Sequence, residues 1–238
     1  MKKNFPAIII FSLLIIAFQQ KAFAQADQST YLSEIKTELQ KQWPKNRTIN
    51  LVFHGHSVPS GYAKTPLVKT FDSYPFQVLK QLKALYPYAV INVITTSIGG
   101  ENSVQGEKRF KRDVLIHKPD VLFIDYALND RSIGLEKSKK AMEKMIRQAL
   151  KKKIKVILLT PSPDLTVDLT KPGNELEQFT NQIIALAKKY KIGLSDSYAV
   201  FKSLAQSGED LKPFMAQSNH PNARGHFLIS QEIMKWFK

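Results

Sequence analysis

Two kinds of apolar spacing alternate along the chain. Short continuous apolar runs stand at Ile49–Phe53, Val90–Thr96, Val121–Tyr126, Val156–Thr160 and, more briefly, Ile192-Gly193-Leu194. Their length, their β-branched and aromatic content, and the small or polar residues that close them predict strands, the first of them buried. Between the runs, apolar residues return every three or four positions, the period of a helix with one buried face. Leu32, Ile35 and Leu39 predict a helix in an N-terminal arm that ends near Pro44. Phe76, Leu79, Leu82 and Leu85 predict another over 75–86, stopped by Pro87. Further helices are expected over about 103–116, 135–150 (with Met142, Met145, Ile146 and Leu150 inside), 175–190, about 198–205 and about 221–236. Residues 59–70 and 208–219 read as loops. Strands that alternate with helices, and are apolar on both faces, imply a parallel sheet of about five strands with helices on each side: a three-layer α/β/α domain. The sequence shows no repeat, linker or second domain.

The first residues follow a different pattern. Lys2 and Lys3 precede an apolar stretch from Ala7 to Phe18, and Ala22-Phe23-Ala24 fits a small-x-small cleavage site. The stretch is shorter than the roughly 20 apolar residues that span a bilayer. The expectation is a signal peptide over 1–24, a single domain over 25–238, and an exported protein, periplasmic or extracellular, with no stable membrane insertion. The chain has no cysteine. This excludes a disulfide framework, a thiolate metal site and a lipid-modified N-terminal cysteine.

Lys and Arg number 35 against 20 Asp and Glu, a formal charge of +15. A basic surface favours anionic partners. The lysines sit at solvated helix positions such as Lys137, Lys140 and Lys144, or in the turn Lys151-Lys152-Lys153. Nucleic acid is not expected as a partner of an exported protein.

The candidate chemistry lies where strands end. Ile49 to Phe53 runs through His54-Gly55-His56 into Ser57, so a buried strand delivers a hydroxyl to the sheet edge. The second strand runs into Gly99-Gly100-Glu101-Asn102, the third into Ala127-Leu128-Asn129-Asp130, and Asn219-His220-Pro221-Asn222 precedes the last helix. In a parallel sheet these ends converge on one edge, where open α/β folds bind ligands. The set suits acyl transfer. A serine hydroxyl needs a base to take its proton, and a neutral imidazole does so near neutral pH. The Ser57 and Gly100 N–H groups and the Asn129 amide are candidates to bind the oxyanion. Asp130, His226 and His117 are expected to be structural or surface residues.

The blocks Gly55-His56-Ser57, Gly99-Gly100-Glu101-Asn102, Leu128-Asn129-Asp130 and Asn219-His220-Pro221-Asn222, in this order, resemble the signature blocks of the SGNH hydrolases, also called GDSL-type esterases and lipases. The resemblance implies a flavodoxin-like fold and hydrolysis of small-molecule or glycan esters, among them acetyl groups on carbohydrate and acyl chains on lipid, without cofactor or metal. It implies Ser57 as nucleophile, His220 as base, and Ser57, Gly100 and Asn129 as the oxyanion hole. Two positions depart from the family's pattern. His56 stands where an Asp usually precedes the serine, and Gln217 stands where an Asp usually precedes the histidine by three residues. A Ser-His dyad is therefore the working scheme, with Gln217, a main-chain carbonyl or Asp210 as possible partners of the imidazole. Two other readings are kept: a non-catalytic module that binds envelope glycans, and a metal-dependent hydrolase using His54 and His56.

Overall fold

The computed structural model describes residues 25–238. The expected signal peptide lies outside them. Among the described residues, no helix is long and apolar enough to cross a membrane.

Five strands form one parallel sheet: β1 (Thr48–Gly55), β2 (Val90–Thr95), β3 (Val121–Asp125), β4 (Lys155–Leu159) and β5 (Gly193–Ser195), in the order β2-β1-β3-β4-β5. Side chains alternate between faces along each strand, so each strand feeds two cores. Leu51, Phe53, Val121, Phe123, Ile157 and Leu159 pack toward one face. There they meet α1 (Ser33–Gln40), α3 (Tyr74–Leu85), α8 (Ser197–Gln206) and α9 (Ala223–Met234). Val52, Leu122, Ile124, Val156 and Leu158 point the other way, onto α4 (Ser103–Asp113), α6 (Leu135–Lys151) and α7 (Glu175–Tyr190). These strand side chains are essentially fully buried. At about 25 cal/mol per Å² of apolar surface, the two cores supply most of the drive to fold.

The expected elements form, with shifts of one to three residues at most ends. The helix expected over 103–116 stops at Asp113 and tightens into a 3-10 turn over Leu115–His117. The stretch 208–219 is more ordered than a loop. It contains a short strand, β6 (Met215–Gln217), which pairs antiparallel with β7 (His220–Pro221). Three residues are too few to show a period, so composition there reads as loop.

The strand order reverses between β1 and β3: from β1 the chain turns outward to β2 and then returns past β1 to β3. Such a reversal leaves a crevice beyond the carboxyl ends of the two central strands. Ser57 follows β1 directly and Asn129 follows β3. Gly55 lets the strand ends approach, because a Cβ there would lie 2.4 Å from the Asp125 carbonyl oxygen.

Candidate active site

Ser57 opens α2, a single turn over Ser57–Ser60 that leaves β1 abruptly. The turn closes on Gly61 at φ 87°, which permits the sharp exit. Ser57 and His220 are both buried, at 7% and 6% exposure. The Ser57 Oγ stands 2.8 Å from His220 Nε2, although 163 residues separate them. The pairing of β6 with β7 holds His220 in place, and Asn222, capping α9, accepts from the N–H groups of Arg224 and Gly225.

The other imidazole nitrogen resolves the question of the histidine's partner. His220 Nδ1 lies 3.0 Å from the main-chain carbonyl oxygen of Ala63. A carbonyl only accepts, so Nδ1 carries the proton and Nε2 is free to accept from the Ser57 hydroxyl. Gln217 does not reach the ring. Its Oε1 accepts from the Thr65 N–H at 3.0 Å and its Nε2 donates to Asn219 Oδ1 at 3.3 Å. Gln217 therefore braces the loop that presents the Ala63 carbonyl. Asp210 caps its own turn, accepting from the Lys212 N–H. Burial lowers the His220 pKa from the usual histidine value, and the Ala63 carbonyl opposes this.

Gly100 sits at φ 76° at the tip of the loop after β2, and a Cβ there would meet nothing within 4 Å. The base of that loop is tied to β1 by the Thr96 N–H to Phe53 carbonyl and Ile98 N–H to Gly55 carbonyl bonds. Its far end enters α4 through a capping box of Asn102 and Gln105. Asn129 lies in α5, a short turn over Ala127–Asp130, and its Nδ2 donates to the Glu101 carbonyl at 3.0 Å. The structure thus couples the Gly100 and Asn129 segments, as it couples Ser57 to His220. Asp130 is structural, as expected: it accepts from the Ser103 N–H at 2.7 Å and the Ser138 hydroxyl at 2.6 Å.

Beneath the Gly100 loop lies a buried polar cluster that the sequence did not disclose. Glu101 accepts from Arg109 Nε at 2.7 Å, from Arg109 Nη2, and from the Tyr126 hydroxyl at 2.7 Å. His54 closes the cluster, with Nε2 3.2 Å from the Tyr126 hydroxyl and Nδ1 2.9 Å from Thr96 Oγ1. Burial pushes the His54 pKa down to about 3. Gly106 makes room, since a Cβ there would lie 2.2 Å from the Tyr126 oxygen. The signal was Glu101, Arg109 and Tyr126 on three separate elements, which only the fold brings together.

His54 and His56 make separate contacts. His56 Nδ1 accepts from the Val58 N–H at 3.3 Å, and its Nε2 lies 3.4 Å from Asp125 Oδ1. His54 lies within β1, whereas His56 follows its last residue, Gly55, and turns toward Asp125 as the N-cap of α2. Among the described residues, no group of three His, Asp or Glu is close enough to hold a metal ion. His226 is fully buried, accepts from the Tyr74 N–H at 3.3 Å, and has its pKa pushed down to about 3 by burial. Sequence reasoning also passed over Tyr62. Its ring centroid lies 5.9 Å from that of His220, and a Cβ on Gly99 would stand 3.0 Å from the same ring.

No curated protein matches the sequence. Several solved structures share the fold. A two-domain esterase (CEX) active on acetylated mannans superposes with TM-score 0.70 at 21% identity, over 87% of this chain and 52% of that one. The present chain thus spans about half the length of that enzyme. Axe2, an acetylxylan esterase from Geobacillus stearothermophilus, superposes with TM-score 0.69 at 19% identity, over 79% of this chain and 94% of that one. A sequence profile of the GDSL-like lipase/acylhydrolase family matches residues 53–228, which include the end of β1, the Ser57 turn and the His220 segment. The chain therefore belongs to the GDSL-like lipase/acylhydrolase family and is an ester-bond hydrolase.

Proposed function

We propose that the protein is an exported serine esterase that removes acetyl or other short acyl groups, from carbohydrate in particular. The observation that carries the chemistry is the 2.8 Å contact between Ser57 Oγ and His220 Nε2, with Nδ1 held on the Ala63 carbonyl. An aligned serine–histidine pair of fixed tautomer has no use in a module that only binds glycans.

The reaction follows from these contacts. His220 Nε2 takes the Ser57 proton as Oγ attacks the ester carbonyl carbon. Negative charge develops on the carbonyl oxygen. The Ser57 N–H, the Gly100 N–H and the Asn129 side-chain amide receive it. One Asn129 amide hydrogen is engaged by the Glu101 carbonyl, which aims the other. The tetrahedral intermediate then expels the alcohol, which leaves with the proton from His220. Water, deprotonated by the same imidazole, attacks the acyl-serine carbonyl, and the acid leaves as the imidazolium returns its proton to Ser57 Oγ. The Ala63 carbonyl orients the imidazolium by its dipole and brings no full charge, unlike a carboxylate.

Three features support a carbohydrate substrate. The Tyr62 ring stands beside His220, in the position of a platform for a sugar face. Gly99 packs against that ring with no side chain to displace it, and nothing lies within 4 Å of where a Cβ on Gly100 would stand. The similar folds include esterases active on acetylated mannans and xylan. Export rests on the Lys2-Lys3 start, the apolar stretch and the Ala22-Phe23-Ala24 site. Kinetics on p-nitrophenyl acetate and on acetylated xylo- and manno-oligosaccharides test the reading, alongside N-terminal sequencing of protein recovered outside the cytoplasm. Turnover of acetylated sugars that is lost in Ser57→Ala supports it. Equal rates for wild type and Ser57→Ala overturn the mechanism, and an uncleaved N-terminus overturns export.

A further inference from the structure

His56 stands immediately before the proposed nucleophile, where the resemblance leads one to expect a carboxylate. We propose that His56 is a positioning residue. Its neutral imidazole caps the Ser57 turn through Nδ1, and Asp125, at the end of the neighbouring strand, fixes the tautomer that makes this possible. The proposal rests on Ser57 being the nucleophile.

The hydrogen bonds determine where the ring proton sits. The Val58 N–H donates to His56 Nδ1 at 3.3 Å, so Nδ1 bears no hydrogen. A neutral ring then carries its proton on Nε2. That atom lies 3.4 Å from Asp125 Oδ1, an ion-pair distance without the alignment of a hydrogen bond, and neither atom has a hydrogen-bond partner among the described residues. The remaining carboxylate oxygen, Asp125 Oδ2, accepts from the Tyr74 hydroxyl at 3.0 Å. Contacts thus run from Tyr74 on α3 through Asp125 on β3 and His56 to the amide of Val58, hydrogen-bonded at both ends and electrostatic between Asp125 and His56. His56 and Tyr74 are fully buried and Asp125 is 5% exposed, so water does not compete for these contacts.

The consequence falls on Ser57. The first amides of a helix have no partner within it. With the Val58 N–H engaged by His56, the turn is held rigid and the adjacent Ser57 N–H is left for the substrate oxygen. An Asp at 56 would cap the same amide, as N-cap carboxylates do. Here it would face the Asp125 carboxylate in a buried site with no cation between them, and two such carboxylates cannot both ionise cheaply. The imidazole and Asp125 are therefore a matched pair: the acid stands one strand away, and the ring relays its orienting effect to the turn.

The test has two independent arms. The first compares wild type with His56→Ala, His56→Asp, Asp125→Asn and the double variant His56→Asp/Asp125→Asn, reading kcat, KM and melting temperature. His56→Ala is expected to lower kcat about 10- to 100-fold with little change in KM, as a misplaced nucleophile does. His56→Asp alone is expected to be at least as impaired. Adding Asp125→Asn to it is expected to restore about tenfold or more, by removing the like charge. The proposal is overturned if His56→Ala keeps wild-type kcat, or if the double variant is no better than His56→Asp. The second arm needs no variant to fold: 15N NMR of the histidine rings at pH 7 in the wild-type protein. An unprotonated Nδ1 with a protonated Nε2 is expected for His56; a proton on Nδ1 overturns the proposal. The underlying assignment of Ser57 fails separately, through activity that survives Ser57→Ala.

Discussion

Replacing Glu101 with Gln tests whether the buried cluster under the Gly100 loop supports the site. Glu101 and Arg109 are 7% and 9% exposed, so their pairing is not screened by solvent. The carboxylate accepts from Arg109 Nε and Nη2 and from the Tyr126 hydroxyl. A Gln amide offers one oxygen in place of two and sets an NH₂ against at least one of those donors. Breaking a buried pair by removing one partner typically costs about 3–5 kcal/mol, because the surviving charge is left uncompensated. Arg109 keeps a weaker contact with Asp113, Nη1 to Oδ2 at 3.5 Å, which places the cost near the lower end, about 3 kcal/mol. For a domain of this size, that is a fall in melting temperature of about 6–12 °C. Activity should fall as well, because the Glu101 carbonyl holds the Asn129 amide. Losing an oxyanion donor outright costs about a hundredfold or more, and a shifted donor less, so a loss of about tenfold in kcat is expected. Thermal denaturation followed by circular dichroism, with steady-state kinetics on p-nitrophenyl acetate, reads both effects. The double variant Glu101→Gln/Arg109→Met should recover part of the stability, since it removes the stranded charge. A melting temperature within 2 °C of wild type for Glu101→Gln, on the order of 0.5 kcal/mol, would mean that the Glu101–Arg109 pair does not brace this loop.

Gln217→Ala should lower activity by less than about tenfold, since Gln217 touches the Ala63 loop and not the imidazole, whereas His220→Ala should lose about a thousandfold or more; equal losses in a pairwise kinetic comparison would contradict this. The acid limb of kcat/KM should lie below the ordinary histidine value of about 6.5, because burial lowers the His220 pKa and the base works only when neutral; a limb centred above pH 7 would contradict it. Acid should unfold the protein through His54 and His226, whose pKa values are pushed down to about 3. Unfolded, both rings protonate below about pH 6.5, so the stability they contribute is present above that pH and is lost as pH falls toward 3, each adding a slope of up to about 1.4 kcal/mol per pH unit. Urea midpoints measured from pH 7 to 4 check this for wild type against His226→Gln, which should flatten the dependence.

Most of this architecture is legible in the sequence because it rests on long periodic segments. Five apolar runs and the helical spacings between them give the parallel sheet and its two covered faces, and the residues that end β1, β2 and β3 mark the site. What is not legible depends on contacts between distant backbone groups. The partner of His220 is a main-chain carbonyl, and any residue type has one, so nothing at Ala63 announces it. Gln217 is misleading for the same reason: its place in the motif suggests a contact with the ring, while its side chain reaches Thr65. The cluster of His54, Glu101, Arg109 and Tyr126 draws on four segments whose sequence spacing carries no period. The β6–β7 pair is too short to show a strand's alternation, yet it is what holds His220 against Ser57.

Covalent labelling reports whether His220 makes Ser57 a nucleophile. A fluorophosphonate reacts at a rate set by the nucleophilicity of a base-activated serine. Wild type should be labelled stoichiometrically, with the adduct mapped to Ser57 by peptide mass spectrometry; Ser57→Ala should not be labelled, and His220→Ala should react about a hundredfold or more slower. An adduct on any other residue, or Ser57 labelled at the same rate with and without His220, would contradict this.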